Sequence, residues 1–331
     1  MPLLLTEADV KSILTMPMAL ELVETSFQRL ADGKATLQYR QRLHVPGKGL
    51  LNHMAAADLI TGYMGLKIYS IAREGARFLV TLFNAESGEL VALIEADYLG
   101  QLRTGAASGV ATKFMARADA HVAAIIGTGL QARTQLEAIS LVRKLQVIRA
   151  FGRDLGRREA FAKAMTARLG IPVTPVSSAQ EAVHGAHIVT TSTTSKEPVL
   201  EGRWLEPGMH INAIGVNQAQ KRELDTEAVL RNDFIAADSC EQSKIEAGDL
   251  IHAFAGDPSR WDTVHEFAEV VVGKIKARIS PNQITLFKSN GVSTEDIVVA
   301  GKIYEIARER RVGREVSMWQ KEARSVAERG V

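Results

Sequence analysis

The chain has 331 residues, 46% of them hydrophobic and 24% charged, with a formal net charge of +2. That length predicts about two domains, the small net charge argues against nucleic acid or an anionic membrane surface as a partner, and no apolar run is long enough to span a bilayer. The single Cys240 excludes an internal disulfide framework and a cysteine-based metal cluster, and with an opening segment, MPLLLTEADV, that carries acids where a signal peptide has a basic region, it predicts a cytoplasmic protein.

Residues 5–30 read as a helical entry. Thr6-Glu7-Ala8-Asp9 is a capping-box-like pattern, with an acid three residues after the threonine. Met18, Leu22, Val23, Phe27 and Leu30 recur at helical spacing, and Asp32-Gly33 ends the run. Short strands follow. YRQRLHV (39–45) stops at Pro46-Gly47-Lys48-Gly49, a turn signal. Residues 50–57 and 63–71 are further strands, and 78–84 and 89–94 flank Glu86-Ser87-Gly88 as a hairpin. The spacing predicts an antiparallel sheet over 37–96.

Residues 98–115 return to a helical pattern rich in Ala and Gly, with Arg103-Thr104-Gly105 inside it. Small residues there admit another backbone or a ligand. A linker at 116–120 leads to VAAIIGTGLQA (122–132), a Gly-x-Gly-x-x-Ala motif between a strand-like run and a helical pattern of Ala132, Leu136, Ile139 and Leu141. Gly127 allows a tight turn, Gly129 lets a pyrophosphate approach, and Ala132 lets helix and strand pack closely. Thr128, Leu130 and Gln131 complete a phosphate-binding loop at a helix start. Strands at 146–151, 173–176, 187–191, 209–214 and 234–237 then alternate with helices at 157–169 and from 178. That alternation predicts a parallel doubly wound sheet, an α/β fold. A last helix, 294–310, follows Ser293-Thr294-Glu295-Asp296 and is expected to pack back on the first domain.

The second strand ends in Gly152-Arg153-Asp154, where an NAD site usually has an acid for the ribose hydroxyls. Arg153, with Arg157 and Arg158 behind it, favours the 2′-phosphate of NADP(H). Asp154, one or two places late, keeps NAD(H) open. Ligands of open α/β sheets bind beyond the carboxyl ends of strands. The ends at 190–194 and 214–217 are therefore candidates to line the nicotinamide, through Thr191, Ser192, Val216 and Asn217. Ser289 and Gly291, just before the last helix, are candidates for the same cleft. In the first domain, Arg42 lies in the YRQRLHV strand, Lys67 between apolar residues in GLKIYS, and Arg103 among small residues in LRTGAAS. Taken singly, such residues are mostly surface charges. An enclosed Arg103, however, needs an anion, and a bidentate carboxylate is the usual one. His53, in LLNHMAA, is a candidate on the substrate side. No HExxH, Cys pair or Gly-x-Ser-x-Gly is present, and no metal is expected.

Taken in order, RLHVPG, GLKIYS, TLFNAESGELVALIEA, LRTGAAS, IIGTGLQA, INAIGVNQAQKRELD and FKSNGVSTEDI resemble the ornithine cyclodeaminase/mu-crystallin family over nearly the whole chain. The resemblance implies a homodimer. It implies a Rossmann-type dinucleotide-binding domain, 118–299, inserted into an α+β substrate-binding and dimerisation domain made of 1–117 and 300–331. By position, Arg42, Lys67 and Arg103 would hold a substrate carboxylate, Thr104 would touch a cofactor phosphate, and Gly127 to Ala132 would form the dinucleotide loop. One departure matters. In ornithine cyclodeaminase the fifth strand ends in Gly-Gly-Asp, and that Asp supports deamination and cyclisation. Here Asn217 stands in its place, and an amide cannot take up a proton as a carboxylate can. With Arg153, this moves the expectation to an NAD(P)H-dependent reductase of imino acids or cyclic ketimines such as pyrroline-2-carboxylate, or the reverse amino-acid dehydrogenase. The substrate would be a small imino or amino acid. Lys67 would serve as carboxylate ligand or proton donor, with Asn217 a second catalytic candidate. The alternatives are an ammonia-releasing ornithine cyclodeaminase using NAD and a mu-crystallin-like binding protein with little turnover.

Overall fold

In the computed structural model, which describes residues 1–318, the chain builds two eight-stranded sheets. The first takes β1 (Leu3–Leu5), β2 (Ala35–Leu37), β3 (Gln41–Val45), β4 (Gly49–Asp58), β5 (Tyr63–Ala72), β6 (Gly75–Asn84) and β7 (Leu90–Glu95). Two helices, α1 (Glu7–Ile13) and α2 (Met16–Ala31), separate β1 from β2. The expected single entry helix is thus a strand and two helices. Thr6 closes the capping box with Asp9, and Pro17 lies in the first turn of α2, where its missing N–H costs nothing. β1 pairs parallel with β7, so the sheet is mixed rather than wholly antiparallel.

Side chains alternate across this sheet. On β4, Asn52, Met54, Ala56 and Asp58 are buried, while Leu51 and His53 are exposed. The register sets Arg42 opposite Asn52, and Met54 opposite Lys67. Directly opposed residues share a face, so Arg42, Asn52, Met54 and Lys67 all point inward. The helix α3 (Asp97–Met115) packs on this sheet, and its buried glycines are spacers for the next helix. A Cβ at Gly105 would lie 2.5 Å from the Thr134 carbonyl oxygen, and one at Gly109 would lie 2.9 Å from Ala138 Cβ.

The second sheet is parallel throughout. Its elements are β8 (Val122–Ile126), α4 (Leu130–Val142), β9 (Val147–Phe151), α5 (Leu155–Leu169), β10 (Val173–Pro175), α6 (Ala179–Val183), β11 (Ile188–Thr191), β12 (His210–Ala213), α7 (Thr226–Leu230), β13 (Phe234–Ala237), α8 (Cys240–Glu246), α9 (Gly248–Phe254), β14 (Val264–Glu266), α10 (Phe267–Val271) and β15 (Thr285–Lys288). The order is β10-β9-β8-β11-β12-β15-β13-β14, so the winding reverses between β8 and β11. β14 and β15 were not expected from sequence. β15 inserts between β12 and β13, which carries Ser289–Gly291 to the carboxyl edge of the sheet. The chain then enters α11 (Ser293–Arg310), which packs on α2, α3 and β4 to β6, and ends the described fold with β16 (Arg314–Glu315), antiparallel to β1. Phe267 joins the two halves of the molecule, with ring centroids 4.9 Å from Phe27 and 4.6 Å from Phe287. Among the described residues, no helix is long and apolar enough to cross a membrane.

Candidate active site

The glycine loop has the shape its sequence predicts. Gly127 has φ +114°, and a Cβ there would overlap the Ser192 carbonyl oxygen, so only glycine fits. Its N–H donates to the Phe151 carbonyl at 2.8 Å. Gly129 caps α4 with no side-chain acceptor, the first turn carries no acid, and nothing lies within 4 Å of its missing Cβ. The first N–H groups of α4 are therefore left without a side-chain acceptor at the winding reversal, where the helix dipole favours an anion. Those free donors and the bare Gly129 fit the pyrophosphate of a dinucleotide. The loop after β9 meets the glycine loop: a Cβ at Gly152 would lie 2.6 Å from Thr128 Oγ1. Leu130 is exposed and Gln131 half-buried at the start of α4. Beside them Arg153 is exposed, whereas Asp154 is committed to capping α5, accepting from the Arg157 N–H at 2.8 Å. Arg158 is structural: it is buried, donates to the Gly152 carbonyl at 2.9 Å and lies over the Phe151 ring.

On the other side of the reversal, several expected cofactor contacts spend their polar groups internally. Thr191 is fully buried and its hydroxyl donates to Glu223. The Ser289 hydroxyl and the Gly291 N–H both donate to Asp238, at 3.1 and 2.6 Å. The Val216 carbonyl accepts from Lys288 Nζ at 2.6 Å. The Thr104 hydroxyl turns back to the Gly100 carbonyl within α3, at 2.7 Å. Ser192 remains half-buried against Gly127, and Asn217 is half-buried at the loop after β12.

The cations of the first domain come together under that edge. Lys67 is 3% exposed, with Nζ 2.7 Å from Asp296 Oδ1. Arg103, also buried, gives Nη1 to Glu295 at 2.7 Å and Nε to Asp296 at 3.1 Å. Both acids lie in the first turn of α11, where the helix dipole favours them. Two glycines make the room: a Cβ at Gly291 would lie 2.6 Å from Arg103 Nη1, and one at Gly100 would lie 3.3 Å from Lys67 Nζ. Burial, then the charge of Arg103, pushes the Lys67 ammonium down to about 8, against the pull of Asp296. Burial likewise pushes the Glu295 carboxyl up to about 8, in spite of Arg103. Burial opposes the Arg103 charge, but Asp296 and Glu295 outweigh it and hold the guanidinium above its ordinary value.

Arg40, which the sequence reading passed over, belongs to this group. It is buried, pairs with Glu246, and donates to the Asn290 and Gly291 carbonyls at 2.8 and 3.0 Å. Its Nη2 lies 3.8 Å from Sδ of Met54, the residue opposite Lys67. Arg42 lies further out: its side chain is 20% exposed, pairs with the same Glu246, and donates to the Asn217 carbonyl at 2.6 Å. The available signal was alternation, since residues 40 and 42 share a face. Glu246 sits in EQSKIEAGDL, a segment that no motif explains. His53 corrects an expectation. It is exposed on the outer face of the sheet, one residue out of phase with Asn52 and Met54, and does not join the cations within this chain. Among the described residues, both side-chain atoms of Asn52, Glu295 Oε1 and Asp296 Oδ2 are buried without a hydrogen-bond partner, and no group of His, Cys, Asp and Glu residues is arranged to hold a metal.

With this geometry in hand, comparison with known proteins is decisive. The model of the ornithine cyclodeaminase/mu-crystallin family matches residues 1–311. The chain belongs to that family. Among its family relatives, a Delta(1)-pyrroline-2-carboxylate reductase of Bacillus cereus is 35% identical over 261 residues, covering 76% of this chain and 80% of the relative. The structure of Thermococcus litoralis Delta(1)-pyrroline-2-carboxylate reductase in complex with NADH and L-proline is 35% identical, with a TM-score of 0.91 over 95% of this chain and 100% of that one. An archaeal alanine dehydrogenase dimer with bound NAD is 33% identical, with a TM-score of 0.91 over 96% of this chain and 99% of that one. The family fold is thus present in full: a Rossmann-type sheet joined to a mixed α+β sheet domain.

Proposed function

We propose that this chain is an NAD(P)H-dependent reductase of imino acids or cyclic ketimines of the pyrroline-2-carboxylate kind, or the reverse amino-acid dehydrogenase. One observation carries the reading. The buried cations Arg40 and Arg103 meet the carboxyl edge of the parallel sheet at Asn290 and Gly291, with Lys67 sharing Asp296 with Arg103, and the same edge of that sheet carries the uncapped glycine loop. The nicotinamide, when bound, supplies the hydride. The residues of the chain bind and orient. Arg103 and Arg40 hold the substrate carboxylate, with Arg42 at the rim, which fixes the imine carbon in one position. Lys67 donates a proton to the imine nitrogen. Its lowered pKa, about 8, keeps it mostly protonated at neutral pH yet able to give the proton up. Asn217 contributes a hydrogen bond at the same strand end and no proton.

NADP(H) is the proposed cofactor over NAD(H), because Arg153 is exposed at the end of β9 while the nearby acid caps a helix. The proposed substrate domain takes α11 whole, from Ser293 rather than residue 300, since its first turn supplies Glu295 and Asp296. The proposed assembly is a homodimer. The outer face of the first sheet supports it, with Leu43, Leu51 and Met64 exposed beside an apolar groove of about 500 Å³ lined by Ala55, Leu66 and Phe83. His53 belongs to that face. A cytoplasmic setting goes with the lone, unpaired Cys240.

The test is oxidation of NADPH and NADH, followed by absorbance, with pyrroline-2-carboxylate, piperideine-2-carboxylate, and pyruvate, glyoxylate or oxaloacetate with ammonia or methylamine. The expected result is oxidation with at least one imine, faster with NADPH. Silence across the panel, with ammonia released from ornithine plus NAD, would replace the reading with a cyclodeaminase.

A further inference from the structure

The loops that leave β11 and β12 are tied together from inside the protein by one carboxylate. Glu223 is fully buried. It accepts from the Thr191 hydroxyl at 2.9 Å, from the Thr193 N–H at 2.6 Å and from the Gly215 N–H at 2.8 Å. The three donors come from the ends of two neighbouring strands. The packing there is tight: a Cβ at Gly215 would lie 2.4 Å from the backbone N and O of Thr193 and 2.5 Å from Glu223 Oε1. The acid is itself anchored. Its own N–H and that of Leu224 donate to Asp249 Oδ1 at 2.6 and 3.0 Å. Asp249 Oδ2 takes Lys288 Nζ at 2.8 Å, with both side chains fully buried, and Lys288 also holds the Val216 carbonyl.

Such an arrangement is costly for a mere fold contact. A buried carboxylate is tolerated only when its oxygens are satisfied, and β11 and β12 are already paired from Ile188 to Thr191 without it. Burial and the neighbouring Asp249 push the Glu223 carboxyl up to about 7, while Lys288 pulls it down. What the charge adds lies beyond the strands, in the course of Ser192–Thr193 and Gly215–Asn217. The first of these loops abuts Gly127 of the glycine loop, and the second carries Val216 and Asn217.

We propose that Glu223 is a positioning residue that sets the spacing of these two loops, so that their backbones form the seat of the nicotinamide ring. The adenosine and pyrophosphate half is left to the glycine loop and Arg153. This rests on the dinucleotide reading above.

The test compares binding of the tighter of NADPH and NADH with binding of the same molecule lacking nicotinamide (ADP-ribose or its 2′-phosphate), using the full chain as wild type, Glu223→Gln and Thr191→Val. Glu223→Gln turns an amide N–H₂ against an N–H donor. It is expected to weaken the complete nucleotide about tenfold or more and to leave the nicotinamide-free ligand within about twofold. Thr191→Val removes one of the three bonds and no charge, and is expected to split the two ligands the same way by a smaller factor. It also carries the test if the glutamine variant does not fold. General loosening of the fold would weaken both ligands together. Equal weakening of both, or no effect on either, would overturn the assignment. Failure of the wild type to bind either ligand would overturn the dinucleotide reading itself and the assignment with it.

Discussion

Lys67 and Arg103 lie where cationic side chains are seldom found, and the reason is visible in what surrounds them. Each is matched by a carboxylate from the first turn of α11. If Lys67 supplies the proton, kcat/KM for imine reduction should be level through neutrality and fall as the pH rises through about 8, where the ammonium is lost. Lys67→Met should remove that limb along with most of the turnover. A profile flat to pH 10 in the wild type would assign the proton elsewhere. Arg103→Ala should raise the KM for the imino acid by about 10- to 100-fold with little change in cofactor affinity. It should also lower the Tm, because removing one partner of a buried ion pair costs roughly 3–5 kcal/mol. Normal turnover at low substrate concentration would contradict the assignment. Arg103 was legible in the sequence because it stands alone among small residues. Glu295 and Asp296 were not, since acids at a helix start read first as dipole partners and their contact with Arg103 spans more than half the chain.

At the scale of elements, the strand–glycine loop–helix unit was the most legible part, since its local geometry and its chemistry call for the same residues. It makes a contrast available. Gly127→Ala meets a left-handed φ and the Ser192 carbonyl together, so it should both lower the Tm and abolish dinucleotide binding. Gly129→Ala meets no protein atom and should fold with an unchanged Tm while weakening the nucleotide, because the added methyl faces the phosphates. Equal effects of the two substitutions on stability would show that the loop is not arranged as described; thermal melts with and without NADPH decide this. β15 was illegible for a physical reason. TLFK is buried on both faces and too short to show a period. The entry helices merged in the sequence because the apolar spacing runs on past Leu14 and Thr15, where only backbone geometry and Pro17 make the break.

The two halves of the molecule are joined by apolar packing, α3 on α4 and Phe267 between Phe27 and Phe287, and beyond it by a cluster of buried ion pairs. Glu246, on α8 of the parallel-sheet half, grips Arg40 and Arg42 of the other half, and Arg42 also takes the carbonyl of Asn217. Alternation places Arg40 on the face of Arg42, but nothing in the sequence announces Glu246, whose contact with them spans more than 200 residues. The outer face of the first sheet is a second surface at this scale. Leu66→Asp would set a charge in its groove and should convert a dimer into a monomer in light scattering, with the monomer still binding nucleotide. A wild-type chain that is monomeric at micromolar concentration would contradict the proposed assembly.

The central claim is that a hydride passes from the nicotinamide to an imine carbon fixed by Arg103, Arg40 and Lys67. The most direct test is turnover with NADPH deuterated at C4 on the transferred face, using whichever imine of the panel oxidises it fastest, followed by mass spectrometry of the amino acid formed. The account predicts one deuterium at the α-carbon of the product and equal amounts of NADP⁺ and amino acid. An unlabelled product, or ammonia release with no net change in the nucleotide, would contradict it.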